Sequence, residues 1–492
     1  MNSFFLSLDK YLKNNYIFFL LLLIFFILIE EPSLRLFSSE IHYLGETLRK
    51  YNYINHEHSS YIVYGSPLDY RYLFDWLTIF YYEITNQNII LTSNLGRITC
   101  SFLFCYAFFH FSKTLEIDLV STLIIICVFL LMNQQIIGGN KLFANGFQST
   151  TISNALNILS FSFFLRNKNY ASILLLGLST NFHFLNGGFW FLIIFLGYFF
   201  TTFKIRKSII LFLIYFIICI PILILLLNKI NIGNDLSSEV GQILAFRSKH
   251  HILPFYSFEY FIWWIPGIVM LILYLFIISS ISENEKLSKK IKLIITLVII
   301  QLLLCLIISL FDKNYIIANF TPFRTSPILL LLIIYYFMFK LIKHDIGFKI
   351  RMAILVPLII NITYPALGRI VFENVDVLMG NSSDYKSELY DFIEKETKDD
   401  DIIFTVYDKN IIDLELLLNK PTYFNWKKIP SSSEAVIEWW RRYQLLEKID
   451  DQMCKTELNY INYFIVEYND KKLDNCGVIV FNNQEYKLIK NK

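Results

Sequence analysis

Charge is scarce in this chain. Asp, Glu, Lys and Arg make up 17% of its 492 residues, where a soluble protein carries about 25%. That shortage excludes one large soluble enzyme. The short motifs by which soluble enzymes hold phosphates or nucleophiles are missing too. There is no G-x-x-x-x-G-K-[ST] loop, no G-x-G-x-x-G and no G-x-S-x-G, so direct use of a cytoplasmic nucleotide is not expected. No basic patch interleaved with aromatics occurs, which argues against a nucleic-acid partner. Cysteine is sparse, at 7 residues, and five of these (Cys100, Cys105, Cys127, Cys219, Cys305) fall in apolar runs, where they read as inert thiols.

Apolar residues take the place of charge. They are 55% of the chain, and the mean hydropathy is +0.48. Such a chain is not disordered. The remaining charge is uneven. Residues 384–492 hold 16 basic and 21 acidic side chains, and residues 1–383 hold 28 basic and 20 acidic. This pattern predicts a membrane domain over 1–372, with a long first outer loop at 30–87, followed by a small soluble domain over 373–492.

A spanning helix needs about 20 mostly apolar residues, because lipid offers no partner to an open backbone. Eleven stretches qualify: 15–31, 88–112, 117–134, 148–165, 170–186, 188–203, 208–228, 257–279, 290–310, 325–343 and 351–371. The stretch 73–86 contains Asp75 and Glu83 and reads as a helix on the lipid surface. With eleven spans, Lys10, Lys13, Lys113, Arg166, Lys168, Lys204, Arg206, Lys207, Lys286, Lys289, Lys340 and Arg351 all fall on one side. The bias of Lys and Arg makes that side the cytoplasm. The N-terminus is then cytoplasmic and the C-terminal domain extracytoplasmic. The first apolar run lacks a small-residue cleavage site and is not expected to be a removable signal.

The same topology collects polar residues on the outer face. Glu30-Glu31-Pro32 ends the first span, and an amphipathic interface helix is expected over 33–50. Pro67-Leu68-Asp69-Tyr70-Arg71 follows. His183 lies in a tight hairpin, Arg247-Ser248-Lys249-His250-His251 in a longer loop, and Arg324 at the start of the tenth span. Ionisable groups at that depth are costly and mark functional sites by default. The chemistry they suit is a lipid-phosphate substrate. Arg247, Lys249 and Arg324 would hold phosphate oxygens, with Arg offering a bidentate fork. Glu30 or Glu31 would take a proton from an acceptor hydroxyl. His250 or His251 would hydrogen-bond to phosphate or sugar.

Plainer readings stand beside these. Glu30 and Glu31 also suit the simple end of a span, the arginines suit snorkelling to headgroups, and His183 suits a packed, hydrogen-bonded histidine. Asp69 is a second outer-loop carboxylate or a turn residue after Pro67. Adjacent histidines on a helix point about 100° apart, a poor spacing for chelation. No protein metal site is therefore expected. A divalent cation, magnesium or manganese, held between a carboxylate and substrate phosphate is the one cofactor this chemistry would accept.

Taken together, these features resemble the GT-C class of membrane glycosyltransferases. The resemblance rests on the acidic end of the first span (Glu30, Glu31), the long loop with its interface helix, the segment Pro67 to Arg71, the arginine-bearing span with Arg97, the many later spans and the soluble C-terminal domain. More narrowly, the chain is similar to a group of bacterial multi-pass proteins marked by the loop Phe246 to Pro254, by Pro322-Phe323-Arg324, and by a tail with Trp426-Lys427-Lys428 and Trp439-Trp440-Arg441-Arg442. The resemblance implies a GT-C-like helical bundle in the bacterial inner membrane. It implies an inverting enzyme that moves a sugar from a polyprenyl-phosphate donor to a lipid- or glycan-linked acceptor, with an acidic residue of the first outer loop as base. Glu stands here where such enzymes usually carry Asp. A transporter or flippase for lipid-linked sugars, and a polysaccharide polymerase or ligase, are the competing readings.

The tail alternates short patterns. Strands are expected at 402–407, 422–426 and 460–467, with a hairpin from Val478 to Leu488. Ser431 and Glu434 suggest a capping box for a helix carrying Trp439, Trp440 and Tyr443. The Trp439 to Arg442 quartet would pack on the membrane surface or cover an acceptor opening. Cys454 and Cys476 are the two cysteines of this domain, and an oxidising compartment would permit a disulfide between them.

Overall fold

A computed structural model describes residues 2–63, 71–138, 141–143, 146–230, 236–247, 258–280, 286–312, 322–343, 347–375, 385–405, 411–428, 430, 432–449, 453–471 and 473–491. Its helices are α1 (Asn2–Leu12), α2 (Asn15–Glu30), α3 (Ser38–Lys50), α4 (Tyr72–Ile84), α5 (Ile89–Thr114), α6 (Leu119–Leu131), α7 (Ser149–Leu165), α8 (Asn169–Phe182), α9 (Phe184–Thr202), α10 (Ile205–Ile230), α11 (Leu236–Arg247), α12 (Phe258–Ser280), α13 (Lys286–Phe311), α14 (Ser326–Lys343), α15 (Phe348–Gly368), α16 (Tyr385–Glu396), α17 (Leu414–Leu418) and α18 (Ser433–Glu447). The strands are β1 (Ile403–Thr405), β2 (Tyr463–Glu467), β3 (Gly477–Asn482) and β4 (Tyr486–Asn491).

The chain divides into two compact units that do not follow it in sequence. The first comprises Met1–Pro32, Leu68–Phe74 and Gly96–Arg369, and the second Ser33–Pro67, Asp75–Leu95 and Ile370–Lys492. A single boundary near residue 372 is thus not how the contacts partition. Two pieces of the region 30–87 join the C-terminal residues.

The first unit is helical. Each of the eleven apolar stretches contains a helix, and six described helices are long and apolar enough to cross a membrane: Ile89–Thr114, Phe184–Thr202, Ile205–Leu225, Leu287–Phe311, Phe323–Leu341 and Phe348–Phe372. Asn15–Glu30, Leu119–Leu131 and Phe261–Phe276 are shorter apolar helices. Large apolar side chains such as Ile217, Ile224, Phe276, Leu310 and Ile360 are exposed on these helices. In water such faces would associate, whereas in lipid they are solvated. Pro221, Pro266 and Pro357 lie inside helices, which membrane bundles tolerate because neighbours satisfy the freed carbonyls.

Helix α7 differs from the rest. It is buried along nearly its whole length although it carries Ser153, Asn154, Asn157 and Ser160. These groups bond across to α8 and the start of α9: Ser153 to Ser179 at 2.6 Å, Ser179 to Asn157 at 2.8 Å, Ser160 to Ser172 at 2.9 Å and Asn186 to Asn154 at 2.6 Å. Small hydroxyl and amide residues let helices approach closely and bond where lipid tails give no hydrophobic drive.

The second unit holds a four-stranded sheet of order β1-β2-β4-β3. β1 and β2 run parallel, and the other pairs are antiparallel. The hairpin around Asn482-Asn483 forms as expected. The strand expected at 422–426 reduces to one bridge, Thr422 with Ile403, because its aromatics pack elsewhere: Phe424 and Trp426 lie 5.5 and 5.3 Å from Trp439. The α18 cap is Ser432, whose hydroxyl accepts from Ala435 N at 3.4 Å, one residue after the expected Ser431, which is outside the described residues.

The interface helix begins at Ser38 rather than 33, where Glu40 Oε2 accepts from Phe37 N at 2.9 Å. Packed with it, α4 buries Asp75 against Thr47 (2.5 Å) and Lys50 (3.4 Å). Trp76, Phe80 and Ile84 remain exposed at helical spacing, the apolar stripe that a helix lying along a membrane surface needs.

Cys454 and Cys476 are joined, with their Cα atoms 5.6 Å apart. The bridge closes a loop of sequence separation 22, so replacing both cysteines by serine should lower the stability of this unit by about 3 kcal/mol. Chemical unfolding of the full chain, followed by proteolysis of the C-terminal region, would measure this. An unchanged midpoint would show that the crosslink adds nothing.

Candidate functional site

The apolar run of α2 ends at Glu30, and the chain turns sharply. Glu31 takes the left-handed conformation, φ 48° and ψ 74°, which costs a residue with a Cβ about 1–2 kcal/mol. The surroundings hold it there. Arg97, fully buried in α5, donates from Nη1 to the Glu31 carbonyl at 3.2 Å. Arg369 Nε donates to Glu31 Oε2 at 2.8 Å, and its Nη2 donates to Oε1, completing a two-pronged clamp. Glu30 is also buried, and its Oε2 accepts from Gly146 N at 3.3 Å. Gly146 has φ 105°, a conformation suited to glycine.

A basic group forms in the same unit. His183 closes α8 and opens α9, and it is buried. Its Nδ1 accepts from Asn186 N at 3.3 Å, and its Nε2 lies 3.3 Å from Arg324 Nη1. A ring nitrogen that accepts from an N–H carries no proton, so this geometry describes a neutral imidazole. Arg71, also buried, is close enough to act on His183 through its charge. Beside Arg71, the Tyr72 hydroxyl donates to Asn181 Oδ1 at 2.8 Å.

One short segment links the acidic and basic groups. Phe147 follows Gly146, and its ring lies 4.7 Å from that of Phe74. Phe74 N donates to the Arg71 carbonyl at 2.9 Å. On its other side Phe147 packs on Gly96, where a Cβ would come within 2.0 Å of the ring. The residue before Arg97 is therefore a close-approach glycine.

Of the sequence-based candidates, Glu30, Glu31, His183, Arg247 and Arg324 fall in the described regions. His183 and Arg324 are brought together, and Glu30 and Glu31 are both buried. Arg247 ends α11 half-buried. Asp69, Lys249, His250 and His251 lie outside the described residues. Arg71, Arg97 and Arg369 complete the picture. Arg369 sits inside the last apolar stretch, and an arginine there was the readable signal. Its partner, 338 residues away, was not readable.

Two residues of the tail quartet, Trp439 and Arg442, take packing roles. Trp439 is buried and donates from Nε1 to the Asn425 carbonyl at 3.1 Å. Arg442 is buried and donates to the carbonyls of Ser59 (3.0 Å) and Tyr423 (2.7 Å). Among the described residues, no three His, Cys, Asp or Glu side chains converge on a metal position.

No protein-family model fits the chain, and no curated protein matches it in sequence. The fold itself defines a helical membrane protein with a small sheet near its C-terminus.

Proposed function

We propose that the protein is an inverting membrane glycosyltransferase of GT-C type that moves a sugar from a polyprenyl-phosphate donor to a lipid- or glycan-linked acceptor. The observation that carries this reading is the pair of buried groups joined through Gly146-Phe147, with Glu30 at one end and His183, Arg324 and Arg71 at the other. Acceptor attack on the anomeric carbon needs a base for the hydroxyl proton, and the departing phosphate needs cations to hold its charge. Glu30 supplies the base, because the guanidinium clamp of Arg369 occupies both oxygens of Glu31. Arg324 supplies the cation, with Arg247 and Lys249 assigned to the same task from sequence and His250 or His251 to a hydrogen bond with phosphate or sugar. His183 lies beside Arg324 in the same basic group. The anomeric C–O bond to phosphate breaks as the acceptor C–O bond forms, and polyprenyl phosphate leaves as the anion.

The reading places the reaction on the outer face of a bacterial inner membrane, with the N-terminus cytoplasmic and residues 373–492 extracytoplasmic. The Lys and Arg bias supports that orientation. So does the Cys454–Cys476 bridge, since disulfides persist in oxidising compartments.

The test is reconstitution of the full chain in liposomes carrying a polyprenyl-phosphate sugar and a lipid-linked acceptor. Release of polyprenyl phosphate together with a glycosylated acceptor is the expected result. Movement of the intact donor between leaflets, with no bond broken, would replace the transferase reading by a flippase.

A further inference from the structure

The first unit contains a polar cavity lined by none of the candidate site residues above. It has a volume of about 350 Å³, and its lining includes Asn167, Asn169, Tyr198, Thr201, Lys289 and Lys290. Three features of it point to an anion. First, α8 and α13 both begin here, and neither has an acidic residue in its first turn. The start of a helix carries partial positive charge and favours an anion, yet α13 opens with lysines. Second, Lys290 is buried, and its Nζ donates to the Asn167 Oδ1 at 2.7 Å and to the Phe164 carbonyl at 3.2 Å. It fixes the turn after α7 and brings positive charge to the cavity wall. Third, Tyr198 is only 3% exposed, and its hydroxyl has no hydrogen-bond partner among the described residues. A buried hydroxyl without a partner is destabilising, and a ligand oxygen would supply one.

We infer that this cavity binds the phosphate of an anionic phospholipid headgroup. Lys289 and Lys290 face its charge, and Tyr198 donates to one of its oxygens. The rim favours a lipid over a free phosphate: Phe200, Phe203 and Ile205 are exposed beside Thr202 and offer acyl chains an apolar surface. Lys207 lies 5.9 Å from the Tyr198 ring and adds to the positive field. The inference does not rest on glycosyl transfer.

The full chain, purified in neutral detergent and delipidated, is to be titrated with phosphatidylglycerol, phosphatidylcholine and inorganic phosphate, with bound mass read by native mass spectrometry. One phosphatidylglycerol should be retained at least about five-fold more tightly than phosphatidylcholine, and Tyr198→Phe combined with Lys289→Gln should lower its occupancy by a similar factor. Neither substitution touches the bonds that Lys290 makes. Should the double variant melt early, Tyr198→Phe alone, with its ring retained, decides the matter in the same assay. Failure of inorganic phosphate to displace the lipid supports the lipid source. Displacement at equal concentration assigns the site to free phosphate and overturns the lipid. Equal retention of both phospholipids, or unchanged binding by the variants, overturns the site itself.

Discussion

Glu30→Gln should lower sugar transfer by about 10²–10⁴-fold, the range that general-base catalysis contributes, while leaving the fold in place. Glutamine keeps an oxygen that accepts from Gly146 N, so the 3.3 Å contact survives. Only the ability to take a proton is lost. Glu31→Gln should behave differently. It weakens the clamp with Arg369 and loosens the left-handed turn that the clamp and Arg97 hold, so it should reduce thermal stability and lower turnover only through misplacement of Glu30. The check is single-turnover transfer and melting temperature for both variants side by side. If Glu30→Gln transfers at the wild-type rate while Glu31→Gln is inactive and stable, the base is Glu31 and the clamp must open during the reaction.

What could be read from the sequence follows the range of the interactions. The helices of the first unit are written in local apolar runs, and each of the eleven stretches contains a helix, although 170–186 breaks at His183 between α8 and α9. Their ends are harder. The helix after Pro32 starts at Ser38 because Glu40 closes its first turn, and a turn residue five positions earlier looks equally good in sequence. Partners separated by hundreds of residues leave no local trace. Arg369 on Glu31, and Ser60 on Glu415 across 355 residues, are invisible until the chain is folded. The histidines of the first long loop illustrate the same limit. His56 Nε2 lies 2.9 Å from the Asn419 carbonyl and His58 stacks on Tyr460, so both belong to the packing of the second unit. The Ser, Thr and Asn residues of α7 and α8 stand within apolar runs, and nothing local marks them as partners of one another.

Lys428→Met should destabilise the second unit by about 3–5 kcal/mol, the usual effect of removing one member of a buried ion pair. Lys428 and Glu415 are both buried, 3.3 Å apart. Lys428 also donates to Ser60 Oγ at 2.8 Å and lies 3.9 Å from the centre of the Tyr61 ring. Burial pushes the Glu415 carboxyl up, and Lys428 with the hydroxyls of Ser59, Ser60 and Thr422 pulls it down further, so the net direction is down. Burial pulls the Lys428 ammonium down more than Glu415 raises it. The two differ because the carboxylate has three hydroxyl donors besides its counter-charge. A depressed carboxyl contributes stability above its unfolded pKa, about 4.3, and loses it as pH falls through the lower folded value. Removing the lysine reverses that sign, because an uncompensated buried carboxylate is raised and binds a proton more readily in the folded state. The penalty of Lys428→Met should therefore be greatest near neutral pH and shrink as the medium is acidified through the raised value. Adding Glu415→Leu to Lys428→Met should recover part of the loss by removing the stranded charge. Denaturant midpoints of the full chain, tracked by protease sensitivity of residues 385–491 at neutral and mildly acidic pH, separate these cases. A loss below about 0.5 kcal/mol, the range of an ordinary surface substitution, would mean that the lysine is held in place by its neighbours rather than holding them.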